Sequence, residues 1–204
     1  MTTLVIAAHP DDIEFGMGGT LSQLESVVCV LSFQCSPARR EEAARALGHL
    51  GVSQIRYTSA TTPRELVADY DALVKEFAPS RVFTHFYGDS HQEHRIVYDC
   101  VLAALRHTPR VSCLLWENIQ PGALTHEAFQ GRVFVPLSSC AMEAKFTALR
   151  EHTSQLQKYD VLRLFDFLRQ KAATNGYLCG SPYAEVFFPV KLVLELKGGD
   201  RRVE

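Results

Sequence analysis

The chain has 204 residues, enough to bury a core without disulfides or a structural metal, so one compact domain is expected. Its 21 Lys and Arg face 23 Asp and Glu, which leaves no basic surplus to grip a nucleic-acid backbone or an anionic membrane surface; the expected partner is a small molecule. Six scattered cysteines without a C-x-x-C pair exclude a dense disulfide framework, and those inside apolar runs read as core.

In chain order, the first apolar run, residues 4–8, leads directly into His9-Pro10-Asp11-Asp12 and then into a segment containing Gly16, Gly18 and Gly19 that opens a helix. The N-terminal stretch lacks the basic start and long apolar core of a signal peptide, and no run approaches the roughly 20 apolar residues of a membrane span, so a soluble cytoplasmic protein is expected. Further strands are predicted at 26–33, 81–86 and 112–116, with a weaker one at 54–58. Helices are predicted over 37–50, closed by Gly51, over 63–77, between Pro63 and Pro79, and over 94–106. Strands at 132–137 and 184–196 flank one long helical stretch over about 141–171 and are expected to extend or flank the sheet; residues 197–204 read as a polar, frayed tail. Short apolar runs alternating with helices describe an α/β fold with a mostly parallel sheet.

Two clusters carry chemistry. His9, Asp11 and Asp12 follow the first strand, and Gly88-Asp89-Ser90-His91-Gln92-Glu93-His94-Arg95 follows the strand at 81–86 in the same way. Ligands of open parallel sheets bind at the carboxyl ends of strands. A His nitrogen and a carboxylate suit a zinc-like ion, and a second carboxylate can serve as base. Each cluster has a plainer reading: the aspartates as a helix N-cap, the histidines as solvated loop side chains. Their joint occurrence favours a site.

The same residues resemble the LmbE-like, or PIG-L, deacetylases. His9-Pro10-Asp11-Asp12 with Glu14 and His91-Gln92-Glu93-His94-Arg95 match the two most specific motifs. Arg39, Glu42-Ala43, Leu50-Gly51-Val52, Lys145, His152, Ser154-Gln155 and Tyr183-Ala184-Glu185 extend the likeness along most of the chain. The resemblance implies a Rossmann-like three-layer sandwich and hydrolysis of the N-acetyl group of an amino sugar such as N-acetylglucosamine, or of a small molecule containing one, usually with one zinc ion per chain. It implies His9, Asp12 and His94 as metal ligands, Asp11 as general base, and His91 as partner of the oxyanion or leaving group. Glu14, Arg39, Glu93 and Arg95 are placed around them, in contact with substrate or supporting the ligands. Glu93 stands where relatives usually carry Asp, and is expected to orient His91 or Arg95. Relatives form dimers, trimers or hexamers, so a homo-oligomer is consistent with the resemblance.

Three alternatives stay open at this level: an amidase acting on another amide, such as a thiol conjugate; a carbohydrate-binding protein without turnover; and a nucleotide-binding Rossmann protein, disfavoured because Gly16-Met17-Gly18-Gly19 is not G-x-G-x-x-G. Tyr87, Trp116 and Tyr183 are candidates to stack on a sugar ring, and residues 88–90, 118–128 and 172–181 to shape specificity.

Overall fold

The computed structural model describes residues 1–194. Seven strands form one sheet in the order β3-β2-β1-β4-β5-β7-β6. The first five, β1 (Thr3–Ala7), β2 (Val27–Leu31), β3 (Gln54–Tyr57), β4 (Arg81–His85) and β5 (Ser112–Trp116), are parallel. Then β6 (Val133–Leu137) and β7 (Tyr183–Lys191) join antiparallel, with β7 against β5. The predicted α/β class and the placing of the C-terminal strands agree with this arrangement.

Strand β1 is buried at all five positions because it is central in the sheet and covered on both faces, which explains its unbroken apolar run. Alternate residues still divide between the faces: Leu4 and Ile6 pack with Leu66, Tyr70 and Val97, while Val5 and Ala7 pack with Ile13, Met17 and Leu47. The first face is covered by α3 (Pro63–Phe77) and α4 (Gln92–Leu105), the second by α1 (Asp12–Leu21), α2 (Pro37–His49) and α5 (Ser139–Arg150). Edge strand β3 alternates exposed and half-buried residues, hence its weaker signal.

The long C-terminal helical stretch is not one helix. It divides into α5, the short α6 (Thr153–Leu156) and α7 (Val161–Cys179). Ser138 caps α5 and Asp160 caps α7, each accepting from the backbone N–H three residues on. Residues 172–181, expected to be a rim loop, lie mostly within α7, which ends at Gly180 in the left-handed region (φ 73°). Strand β7 ends at Lys191; the predicted continuation through 195–196 and the tail at 197–204 lie outside the described residues.

The chain runs outward from β1 to β2 and β3, then returns to place β4 on the other side of β1. This reversal opens a crevice at the carboxyl ends of β1 and β4. Both sequence clusters follow those two strands.

Candidate active site

The loop after β1 turns sharply. Asp11 takes φ 90° and ψ −29°, a left-handed conformation that Asp tolerates better than most residues. It occupies the N-cap position of α1, yet its side chain makes no capping bond. Its Oδ1 instead receives the Arg39 guanidinium at 3.1 Å, and Arg39 also donates to the Pro10 carbonyl at 2.9 Å. The capping explanation for this carboxylate therefore fails. Asp12 turns back beneath the loop, where its Oδ2 accepts the His9 backbone N–H at 2.8 Å.

The loop after β4 brings His91 to the N-cap of α4 and His94 into its first turn. Asp89, buried and named from the sequence only within the second cluster and the specificity segment 88–90, organises this loop: Oδ1 accepts the His91 backbone N–H at 2.8 Å, and Oδ2 accepts from His94 Nδ1 at 2.7 Å. Arg95 braces the same loop by donating to the carbonyls of Asp89 and Ser90. Its bonds run to the backbone of the loop that carries His91 and His94.

Two histidines thus meet one aspartate. His9 Nδ1 lies 3.4 Å from Asp12 Oδ2, and His94 Nε2 lies 3.4 Å from Asp12 Oδ1. The opposite ring nitrogen of each is held by another carboxylate: Glu93 on His9 Nε2 at 2.6 Å, Asp89 on His94 Nδ1 at 2.7 Å. Glu93 therefore supports His9, correcting the expectation that it orients His91 or Arg95; its longer arm spans the two loops. Metal-binding imidazoles are commonly fixed by such outer carboxylates. Donor atoms about 2.1 Å from a tetrahedral ion stand about 3.4 Å apart.

Among the described residues, two groups of candidate ligand atoms lie mutually within 4.8 Å, His9-His91-His94 and Asp12-His85-His94. The expected trio of His9, Asp12 and His94 is not itself one of them; it takes His9 from the first and Asp12 from the second, with His94 common to both. His85, the last residue of β4, is hidden from sequence inspection inside a predicted strand. It stacks on His94 at 4.0 Å and lies 3.5 Å from Asp12 Oδ2. Its Nε2 accepts the Ala8 N–H at 2.8 Å, which occupies the lone pair a metal would need. His85 is a packing support for His94, and Trp116 supports it in turn, edge-on at 4.8 Å. A Cβ at Gly16 would stand 2.3 Å from the Trp116 ring, so α1 can close over this column only with glycine there.

The electrostatics favour a cation at this point. Burial, the largest influence, pulls the His94 pKa down, but Asp12 and Asp89 outweigh it and raise it to about 10. Burial acts upward on Asp12, yet His94 and His9 hold its carboxyl well below the usual range. Asp11 is different: burial, then repulsion from Asp12, lifts it to about 7 against the pull of His152 and Arg39. His91 is lowered by partial burial and by the neighbouring His94 and His9.

Other expected residues lie farther back. Glu14 faces the buried His152 at 3.1 Å, and both charges act on Asp11. Trp116 is fully buried, and Tyr87 and Tyr183 pack against core clusters, so Trp116 has no face free for a sugar.

Among curated proteins, an uncharacterised deacetylase of Escherichia coli (strain K12), YaiS, is 29% identical over 172 residues, covering 74% of this chain and 90% of its own. The fold is shared with the conserved protein TT1542 of Thermus thermophilus (TM-score 0.77, 21% identity, 97% of this chain and 98% of that one). It is shared too with the N,N'-diacetylchitobiose deacetylase of Pyrococcus horikoshii (TM-score 0.72, 23% identity, 92% and 83%). A 4-carboxy-2-hydroxymuconate hydratase, GalB of Pseudomonas putida KT2440, is equally alike in fold (TM-score 0.76, 17% identity, 96% and 99%), so the architecture alone does not choose the chemistry. Residues 4–105, half of the chain and the half that contains both motifs, match the family described as PIG-L: GlcNAc-PI de-N-acetylase, and the chain belongs to that family.

Proposed function

We propose that this protein hydrolyses the N-acetyl group of an amino sugar, or of a small molecule containing one, releasing acetate and a free amine, with zinc as cofactor. One observation carries the reading: two imidazoles, each fixed from behind by a carboxylate, aim their other nitrogen at Asp12, beside a buried Asp11 that is not consumed in capping its helix. The family description and the diacetylchitobiose deacetylase of the same fold support an N-acetylated sugar as the substrate class.

His9, Asp12 and His94 would hold the ion, and another divalent metal suits the same donors. When bound, it supplies Lewis acidity, lowering the pKa of water to about 7 and polarising an acyl oxygen. Asp11 accepts the proton of the attacking water, with Arg39 fixing its carboxylate. His91, stacked on His94 at 4.4 Å, would hydrogen-bond the oxyanion. The amine must gain a proton as the C–N bond breaks. Asp11, which holds the proton removed from water, and His91 are the two candidate donors.

The test is metal content and acetate release from N-acetylated sugars, sugar nucleotides and glycoconjugates, for wild type and Asp11→Asn. The expected result is stoichiometric metal in both, with turnover only in wild type. Release of a different acid from another amide would replace the deacetylase reading with that of a broader amidase; a metal-loaded Asp11→Asn enzyme of near-normal turnover would remove Asp11 from its role.

A further inference from the structure

Beside the catalytic rim lies a cleft of about 630 Å³, between the segment after β5 and the start of α7. Its volume is that of a small-molecule site. Gln120 lines this cleft and also reaches the centre, its Nε2 3.4 Å from Asp12 Oδ1. Tyr159, on the facing wall, lies near enough to Asp11 for that charge to add to the effect of burial on its phenol. The cleft thus borders the reacting groups through Gln120 and Tyr159.

Its lining has two parts. Ile119, Pro121, Tyr159 and Phe167 offer apolar and aromatic surface, and Phe167 stays 49% exposed. Around them stand Lys158 and Arg163. Lys158 rests only on the amide oxygen of Gln155, and Arg163 makes no ion pair among the described residues. Of the acids, Glu117 is neutralised by Lys171 at 2.7 Å, while Asp160 caps α7 through one oxygen and keeps its charge. The lining therefore carries a single net positive charge. A neighbouring cavity of about 300 Å³ is walled by Lys145 and Glu185, whose polar atoms are already bonded to each other and to backbone, and so offers less to a ligand.

We infer that this cleft binds the part of the substrate beyond the acetylated sugar, and that it suits an aglycone combining an apolar or aromatic surface with an anionic group. The inference rests on the deacetylase reading. Phe167 and Tyr159 flank the apolar portion, Arg163 and Lys158 meet the negative charge, and the sugar's acetamide then lies toward Asp11 and Asp12.

Steady-state kinetics on the methyl, phenyl and 4-carboxyphenyl glycosides of N-acetylglucosamine, both anomers, test this. Wild type should prefer phenyl to methyl and carboxyphenyl to phenyl in kcat/KM, through KM. Phe167→Ala should shrink the phenyl-over-methyl preference about threefold to tenfold, and Arg163→Ala the carboxyphenyl-over-phenyl preference up to about fivefold. Preferences absent from wild type, or unchanged in both variants, would overturn the assignment. Calorimetric binding of the carboxyphenyl glycoside to Asp11→Asn, with and without Arg163→Ala, separates the two readings. Arg163-dependent binding without acetate release from any glycoside by wild type would sink the deacetylase and keep the cleft; acetate release with Arg163-independent binding would do the reverse.

Discussion

Two clusters of buried charge meet helix α1, one at its start and one at its middle, and they are built differently. At the start, His9, Asp11, Asp12 and His94 leave ring nitrogens and carboxylate oxygens directed at one another with capacity to spare. At the middle, Met17 leaves the helical region (φ −148°, ψ 21°) and α1 breaks. There Glu185 of β7 accepts the N–H groups of Gly19 (3.1 Å) and Thr20 (2.6 Å), while Lys145 of α5 bonds Glu185 (2.6 Å) and the Phe15 carbonyl (2.8 Å). The N–H groups of Gly19 and Thr20 and the Phe15 carbonyl find partners at the break. The broken helix is thereby locked from two distant parts of the chain while its first turn presents Asp11 and Asp12. Charges with spare capacity belong to chemistry, and charges fully engaged belong to stability.

Substitutions should separate these roles. Lys145→Met leaves the Glu185 carboxylate buried without its partner and is expected to cost about 3–5 kcal/mol in denaturant unfolding, the largest effect. A loss below about 1 kcal/mol would mean that the lock is not structural. Asp11→Asn, which keeps the shape and tolerates the left-handed turn, should lower kcat by roughly a hundredfold or more with little change in unfolding midpoint. Asp89→Asn should weaken metal affinity about tenfold to a hundredfold, read by chelator competition, because His94 loses the carboxylate that fixes its ring. Unchanged affinity would show that Asp89 only shapes the loop.

The smallest effect concerns pH. Burial draws the His152 pKa down, but Glu14, Asp11 and Glu42 outweigh it, so the folded value lies above the ordinary 6.5. The stabilisation from this pair is complete below pH 6.5 and is lost as pH rises through the folded value. Unfolding curves should therefore show stability declining above neutrality, with the slope reduced in His152→Gln. An identical pH profile in that variant would assign the decline to other groups.

Much of this arrangement is legible along the chain. The apolar runs of β1, β4 and β5 are visible because a parallel strand covered on both faces must be apolar throughout. The two motifs stand out because they follow such strands directly. Periodicity overextends the long C-terminal helix, since the breaks near His152 and Asp160 depend on caps and on Ser154 donating to Glu42 at 2.6 Å, a bond between residues far apart in sequence. His85 is concealed because a histidine ending a buried strand looks like any other strand residue until Ala8 is placed against it.

The amino-acid order by itself determined the α/β layering, the strand ends that bear histidine and aspartate, and the family to which they point, because periodicity and short motifs are local properties. Tertiary structure decided which carboxylate stands behind which imidazole, that Glu93 serves His9 and Asp89 serves His94, and that Lys145 and Glu185 lock the broken helix. Asp89 and His94 are only five residues apart, but the other pairings join loops and elements separated by up to 166 residues, and their partners are chosen by packing rather than by spacing along the chain.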